Sequence, residues 1–256
     1  MEIRDVTFSY SDKVKRLHHV EAEIKEGQIT TIIGPNGSGK STLLSVLTNN
    51  NQPQEGQVIL DGKAINQYKP KELAKRLGVV HQQNTAPSDM TVERLVHYGR
   101  LPYQNPFSPK NDKDEAMVKW ALKSTGLYEK RNETIDTLSG GQQQRVWIAM
   151  ALAQDTPYLF LDEPTSNLDI YYQYEILELV KRLCNEHGLT IVMVLHDINQ
   201  AIQYSHQLIA MKRGHIIAKG NPKEIVTNQL MKEVYGINIM VKNDENVGLY
   251  ILPLGI

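Results

Sequence analysis

Eight residues constrain this chain more than any other feature: Gly34-Pro35-Asn36-Gly37-Ser38-Gly39-Lys40-Ser41, which satisfy the pattern G-x-x-x-x-G-K-[ST]. A β-branched run, Ile29 to Ile33, precedes them and reads as a buried strand ending in glycine. Thr42 to Leu47 follows as the start of a helix. Strand, glycine loop and helix in that order form a phosphate cradle. Glycines let the backbone wrap close to phosphate oxygens with N–H groups inward, and the helix N-terminus adds its positive dipole end. Lys40 is placed to reach the β- and γ-phosphates as a mobile point charge. Ser41 is placed to coordinate Mg²⁺ through its hydroxyl, with Thr42 beside the α-phosphate.

A second segment supplies carboxylates. Tyr158-Leu159-Phe160-Leu161-Asp162-Glu163 is an apolar strand that delivers two acids at its C-terminal end, before Pro164. In open α/β sheets that end of a strand is where ligand chemistry happens. Asp162 is the candidate for holding Mg²⁺, through water. Glu163, on the opposite face by strand alternation, is the candidate general base for an attacking water. His196 ends the next apolar strand, Thr190 to Leu195, and can link water, γ-phosphate and Glu163 through its two ring nitrogens. Gln82 closes a short strand, Gly78 to Val80, and can bridge to the metal or its water without adding charge.

The remaining pattern is α/β. Val58 to Leu60 enters a turn at Asp61-Gly62, and Ile170 to Glu186 repeats apolar residues at helical spacing up to Gly188. Strand, helix, strand over 159–195 implies a parallel βαβ unit. From about Ala86 to Gln154 the β-branched runs disappear, and helical patterns occur at Val92 to Tyr98 and Glu115 to Ser124. This stretch reads as a helical insertion. Leu208 to Met211 and His215 to Ala218, joined by Arg213-Gly214, predict a hairpin. Asn221-Pro222 and Thr227-Asn228 predict helix N-caps. Ile239 to Leu252 predicts a second hairpin turning at Asn243 to Asn246.

Composition narrows the function classes. With 28 basic and 29 acidic residues the net charge is −1, which argues against a general nucleic-acid binder. No run approaches the roughly 20 apolar residues of a membrane-spanning helix, and the N-terminal residues carry no apolar signal core, so the expectation is a cytosolic protein. The single cysteine, Cys184, fits a reducing compartment and, at helical spacing with Ile170, Tyr174 and Leu177, reads as a small core residue.

Leu138-Ser139-Gly140-Gly141-Gln142 opens another helix, and a Ser-Gly-Gly start is itself an anion nest. One nucleotide does not need two nests from one chain. The economical solution is two chains facing head to tail, each closing the other's phosphate site.

With these residues in place the chain resembles the nucleotide-binding subunits of ABC transporters over almost its whole length. The likeness runs through the phosphate loop, Gln82, the LSGGQ signature, the acidic strand, the Ser166-Asn167-Leu168-Asp169 loop and His196, in family order. It implies a P-loop NTPase of the ABC type: an α/β core (about 1–85 and 158–256) with an inserted helical subdomain (about 86–157) and an antiparallel β edge, in one ATPase domain. It implies ATP and Mg²⁺ as ligands, Tyr10 stacked on adenine, Ser139, Gly140, Gly141 and Gln142 contacting the γ-phosphate across a dimer, Asp169 among the nucleotide-site residues, and Gln82 sensing the transmembrane partner. The implied partners are integral membrane permease subunits, a second ATPase subunit and, indirectly, an extracytoplasmic substrate-binding protein. The implied location is the cytoplasmic face of the cell membrane.

Gly99-Arg100-Leu101-Pro102-Tyr103, His196-Asp197-Ile198-Asn199-Gln200-Ala201 and the segment from Gly220 to Gly236 resemble the ATPases of ferric-siderophore and cobalamin-type importers. The stretch ending in Gly248-Leu249-Tyr250 is similar to catecholate or petrobactin uptake ATPases. The expected function is therefore the motor of an iron-siderophore importer. The alternatives are the same motor serving cobalamin, haem or another metal, or a non-transport ABC ATPase.

Overall fold

The computed structural model describes residues 1–11, 15–104 and 112–256. In chain order the elements are β1 (Glu2–Ser9), β2 (Lys15–Glu23), β3 (Ile29–Ile33), α1 (Lys40–Leu47), β4 (Glu55–Leu60), β5 (Lys63–Ala64), α2 (Pro70–Leu73), β6 (Leu77–Val80), α3 (Val92–His97), α4 (Asp112–Ser124), α5 (Gly140–Ala153) and β7 (Tyr158–Asp162). They continue with α6 (Ile170–His187), β8 (Thr190–Val194), α7 (Ile198–Tyr204), β9 (Gln207–Lys212), β10 (His215–Gly220), α8 (Pro222–Ile225), α9 (Asn228–Tyr235), β11 (Asn238–Asp244) and β12 (Gly248–Gly255). The chain divides into two compact units, Met1–Tyr68 with Thr190–Ile256, and Lys69–Leu189.

The first unit is built on β3. Its five residues are all buried, which is why the segment carries no polar alternation. β3 runs parallel to β8 on one side, with Ile29 opposite Ile191, and parallel to β9 on the other, with Ile33 opposite Ala210. β9 turns into antiparallel β10 through Arg213 and Gly214, both at positive φ (48° and 82°). That pair of left-handed residues is the two-residue turn whose twist suits a hairpin. Asp61 and Gly62 (φ 49° and 76°) do the same between β4 and β5. A separate antiparallel sheet in the order β2-β1-β4-β5 forms the expected β edge.

The predicted caps are present. Asn221 accepts from the Lys223 amide at 2.9 Å, with Pro222 in the first turn, and Thr227 accepts from the Leu230 amide at 3.1 Å. The C-terminal hairpin forms between β11 and β12, and Asn199 clamps it by exchanging two hydrogen bonds with the Ile251 backbone (3.2 and 2.8 Å).

The second unit contains the helices of the predicted insertion, α3 to α5, together with α6 and the parallel pair β6–β7. Leu122, Val146, Ile148, Phe160, Leu161 and Val180 form its interior. Arg100 is 1% exposed; it donates to Asp114 at 2.8 Å and to the Ala153 carbonyl at 2.7 Å, so its charge is both paired and hydrogen-bonded.

α6 ends as expected at Gly188 (φ 66°), whose amide donates to the Cys184 carbonyl at 3.0 Å. Its apolar stripe needs correcting at the N-terminal end. Leu177 and Cys184 are buried, but Ile170 is 72% and Tyr174 38% exposed. Helical periodicity located the face, while at the start of α6 Ile170 stays largely exposed and Tyr174 partly so. Burial pushes the Cys184 thiol pKa up, which suits a packing residue rather than a nucleophile. No helix among the described residues is long and apolar enough to cross a membrane.

Candidate functional site

In the first unit the glycine loop leaves β3 and enters α1. Gly34, Gly37 and Gly39 take φ of 152°, 76° and 104°, values only glycine adopts without strain. Gly34 has a second constraint: a Cβ there would lie 2.3 Å from the Met211 carbonyl oxygen of β9. Lys40 is 5% exposed, and its ammonium donates to the Gly34 and Pro35 carbonyls at 2.9 and 3.2 Å. The expected mobile point charge is thus held at the centre of its own loop. Ser38 is buried, and its hydroxyl has no hydrogen-bond partner among the described residues, an orphan of the kind a polyanion site carries. Ser41 stands exposed at the helix start, with Thr42 half-buried beside it; Pro35, Asn36 and Gly37 form the outer rim.

Tyr10 lies just beyond β1. It is 63% exposed, packs edge-on against Phe8 (4.9 Å between ring centroids, 88°) and places its hydroxyl 3.5 Å from Thr42 Oγ1. Its ring is therefore seated beside the phosphate loop with most of its surface open. His196 sits in the loop that follows β8, two residues past the strand's end, and is exposed. The next residue, Asp197, caps α7 by accepting from the Gln200 amide at 2.8 Å.

In the second unit Asp162 is the last residue of β7. Glu163 is already outside the strand, in the left-handed region at φ 51°. Strand alternation is therefore not what aims its carboxylate. A non-glycine residue in this conformation costs about 1–3 kcal/mol and persists where the surroundings hold it. Here Ser166 holds it, through its amide (3.1 Å) and its hydroxyl (2.9 Å), both donating to the Glu163 carbonyl. Gln82, exposed just past β6, donates its side-chain amide to the Glu163 carboxylate at 2.5 Å. Ser166 was visible in the sequence only as a loop residue; its grip on Glu163 had no signal there.

Ser139 and Gln142 form a capping box at the start of α5: the Gln142 amide donates to Ser139 Oγ at 3.4 Å, and the Ser139 amide donates to Gln142 Oε1 at 3.1 Å. The two glycines between them differ. A Cβ on Gly141 would meet the Tyr172 ring at 2.8 Å, whereas one on exposed Gly140 would find only Leu168, at 3.7 Å. Packing explains Gly141 and leaves Gly140 bare. Asp169 is exposed at the N-cap of α6 and its side chain makes no capping bond.

The loop suits phosphate: it offers a buried ammonium and an unpaired buried hydroxyl just before a helix start. Ser41 of the first unit carries a hydroxyl, and Gln82 and Asp162 of the second carry an amide oxygen and a carboxylate, oxygen donors of the type a hard divalent cation takes. Among the described residues no group of three or more His, Cys, Asp and Glu side chains gathers to hold a metal by itself.

Residues 17–166 match the ABC transporter family. The chain is 47% identical over 238 residues to the ferric enterobactin transport ATP-binding protein FepC of Escherichia coli (strain K12), covering 93% of this chain and 88% of that one. It is 46% identical over 235 residues to the iron(3+)-hydroxamate import ATP-binding protein FhuC of Bacillus subtilis (strain 168), covering 92% and 87%. The dimeric structure of MJ0796, a bacterial ABC transporter cassette, superimposes with a TM-score of 0.75 at 33% identity, over 86% of this chain and 98% of that one.

Proposed function

This chain belongs to the ABC transporter family of ATP-hydrolysing cassettes, and from that premise we propose that it powers uptake of an iron-siderophore complex through a membrane permease. The observation that carries the cargo class is the identity to FepC and FhuC across more than nine-tenths of the chain. Both relatives are named for ferric chelates, one for enterobactin and one for hydroxamates. The ATPase does not touch cargo, so kinship reports the class and not the individual siderophore.

In this reading Gly34 to Thr42 bind the phosphates of ATP and Tyr10 stacks on the adenine, a contact that a π-face supplies without demanding a sequence of donors. Ser41, Asp162 and Gln82 would hold Mg²⁺, which when bound neutralises phosphate charge and orients the reacting group. Glu163 takes a proton from the attacking water, and Gln82 restrains its carboxylate. His196 accepts from one group and donates to another at the γ-phosphate. The acid end, the signature and the loop of Asp169 serve this nucleotide chemistry from about 1–85, 158–256 and the helical subdomain of about 86–157.

Ser139, Gly140, Gly141 and Gln142 act on the nucleotide of a second copy. Gly140, exposed and unexplained by packing, supports that assignment, as does the dimeric state of MJ0796. Closure of the pair moves the permease subunits, with an extracytoplasmic binding protein delivering cargo from the far side. ATP drives closure only so far as it binds the closed pair more tightly than the open one. The chain then works at the cytoplasmic face of the membrane.

The test is transport by vesicles that hold the permease and this chain. ATP-dependent accumulation of ferric siderophore, lost with Glu163→Gln, supports the reading. ATP-dependent uptake of cobalamin or haem in place of ferric chelates overturns the cargo.

A further inference from the structure

The Tyr10 ring beside the phosphate loop is carried by a strand end that β4 holds in place. β1 pairs with β4 as far as Thr7 opposite Glu55, and the Gln54 main-chain amide still donates to the Thr7 carbonyl at 3.0 Å. There the main chain runs out of donors, because Pro53 has no N–H. The Gln54 side chain takes over. Its Oε1 accepts from the Ser9 amide at 2.8 Å, and its Nε2 donates to the Ser9 carbonyl at 2.8 Å and to Ser9 Oγ at 3.0 Å. A side-chain amide carries the same donor and acceptor types as a peptide, so it closes the strand end where no peptide is able to. Tyr10 is the next residue. Its hydroxyl lies 3.5 Å from Thr42 Oγ1 and accepts from Asn51 Nδ2 at 3.4 Å, and Asn51 is itself fixed to α1 by donating to Ser45 Oγ at 2.8 Å.

We propose that Gln54 is a positioning residue for the nucleotide base: it fixes Ser9 so that the Tyr10 ring stays in place as a stacking platform. This rests on the reading that Tyr10 stacks on adenine.

An open ring needs such a hold. Tyr10 is 63% exposed and packs edge-on against Phe8, so burial does little to keep it in one place. Its two hydroxyl contacts, at 3.4 and 3.5 Å, are long and therefore weak. The position of the ring thus depends on the backbone that carries it, and at Ser9 that backbone is clamped by three shorter bonds from one side chain. A strand end without them frays. A base then finds its platform in place only part of the time, and the apparent affinity falls by that fraction. Gly34 to Thr42 bind the phosphates whether or not the platform is in place, so loss of the Gln54 amide separates base recognition from phosphate recognition.

The experiment titrates wild type, Gln54→Leu, Tyr10→Ala and the double variant with magnesium ATP and with magnesium tripolyphosphate, which carries the phosphates and no base. Gln54 is exposed, so the leucine variant should melt close to wild type. Its Kd for ATP should rise about threefold to tenfold, as for a platform in place that much less often, while its Kd for tripolyphosphate stays unchanged. In the Tyr10→Ala background the same substitution should add nothing, because the two residues act as one unit. Wild-type ATP affinity in Gln54→Leu overturns the proposal. So does an equal weakening toward tripolyphosphate, because Gln54 would then support the loop or the fold at large. A full additive loss in the Tyr10→Ala background overturns it too. Wild-type ATP affinity in Tyr10→Ala overturns the adenine reading itself, and the proposal with it.

Discussion

Gln82 and Glu163, 81 residues apart in sequence, meet through a 2.5 Å hydrogen bond from the glutamine amide to the carboxylate. The contact restrains a carboxylate whose backbone is already in a left-handed conformation.

Replacing the carboxylate isolates its role. Glu163→Gln preserves shape and an acceptor oxygen for Gln82, so ATP affinity should stay within about threefold while hydrolysis falls at least about a hundredfold, as for loss of a general base. Phosphate release measured beside equilibrium ATP binding decides it; normal release would remove Glu163 from the base role. Gln82→Ala should lower kcat by a smaller factor, with binding again retained.

Lys40 is buried among loop carbonyls, and in the proposed reading it serves phosphate when ATP binds. Lys40→Ala should weaken ATP binding by about tenfold to a hundredfold, the worth of one charge-assisted hydrogen bond. Calorimetric titration measures this, and circular dichroism should show an unchanged fold. Undiminished affinity would take the loop out of nucleotide binding.

The two signature glycines should respond differently to alanine. At Gly141 the added methyl meets the Tyr172 ring at 2.8 Å, and overpacking of this kind costs about 1–3 kcal/mol. At Gly140 the nearest atom is 3.7 Å away and alanine favours a helix, so stability should hold or rise slightly. Thermal melts compare the two. If Gly140 faces a second copy's nucleotide, Gly140→Ala should still lower ATP turnover despite its intact fold.

Arg100 is a stability residue. Arg100→Met leaves Asp114 buried without its partner and strips a donor from the Ala153 carbonyl. Loss of one member of a buried pair costs about 3–5 kcal/mol, so a large fall in the urea midpoint is expected. The double variant Arg100→Met, Asp114→Leu should recover much of it, since an apolar pair of similar volume carries no buried charge.

Much of the fold was legible because its signals are local. Asp61-Gly62 and Arg213-Gly214 specify their own hairpins, Asn221 and Thr227 cap the helices that begin beside them, and Gly188 stops α6. The first turn of α6 was misread at Ile170 and Tyr174, because periodicity identifies an apolar face and not whether anything covers it. Glu163 was legible as an acid at a strand end, but its φ of 51° was not, since alternation presumes that the strand continues.

The sequence by itself determined the chemistry of the phosphate loop: glycines at the positions that need positive φ, a lysine and a hydroxyl at fixed spacing, and a strand and helix on either side. These follow from covalent geometry over a few residues, and any fold that accepts the segment inherits them. Tertiary structure alone decided that Gln82 reaches Glu163 and that Met211 closes the space around Gly34. Those contacts join residues that no local rule relates. They exist because parallel strands and the helices packed on them bring distant segments to one place, where burial leaves each polar group only the partners the fold delivers.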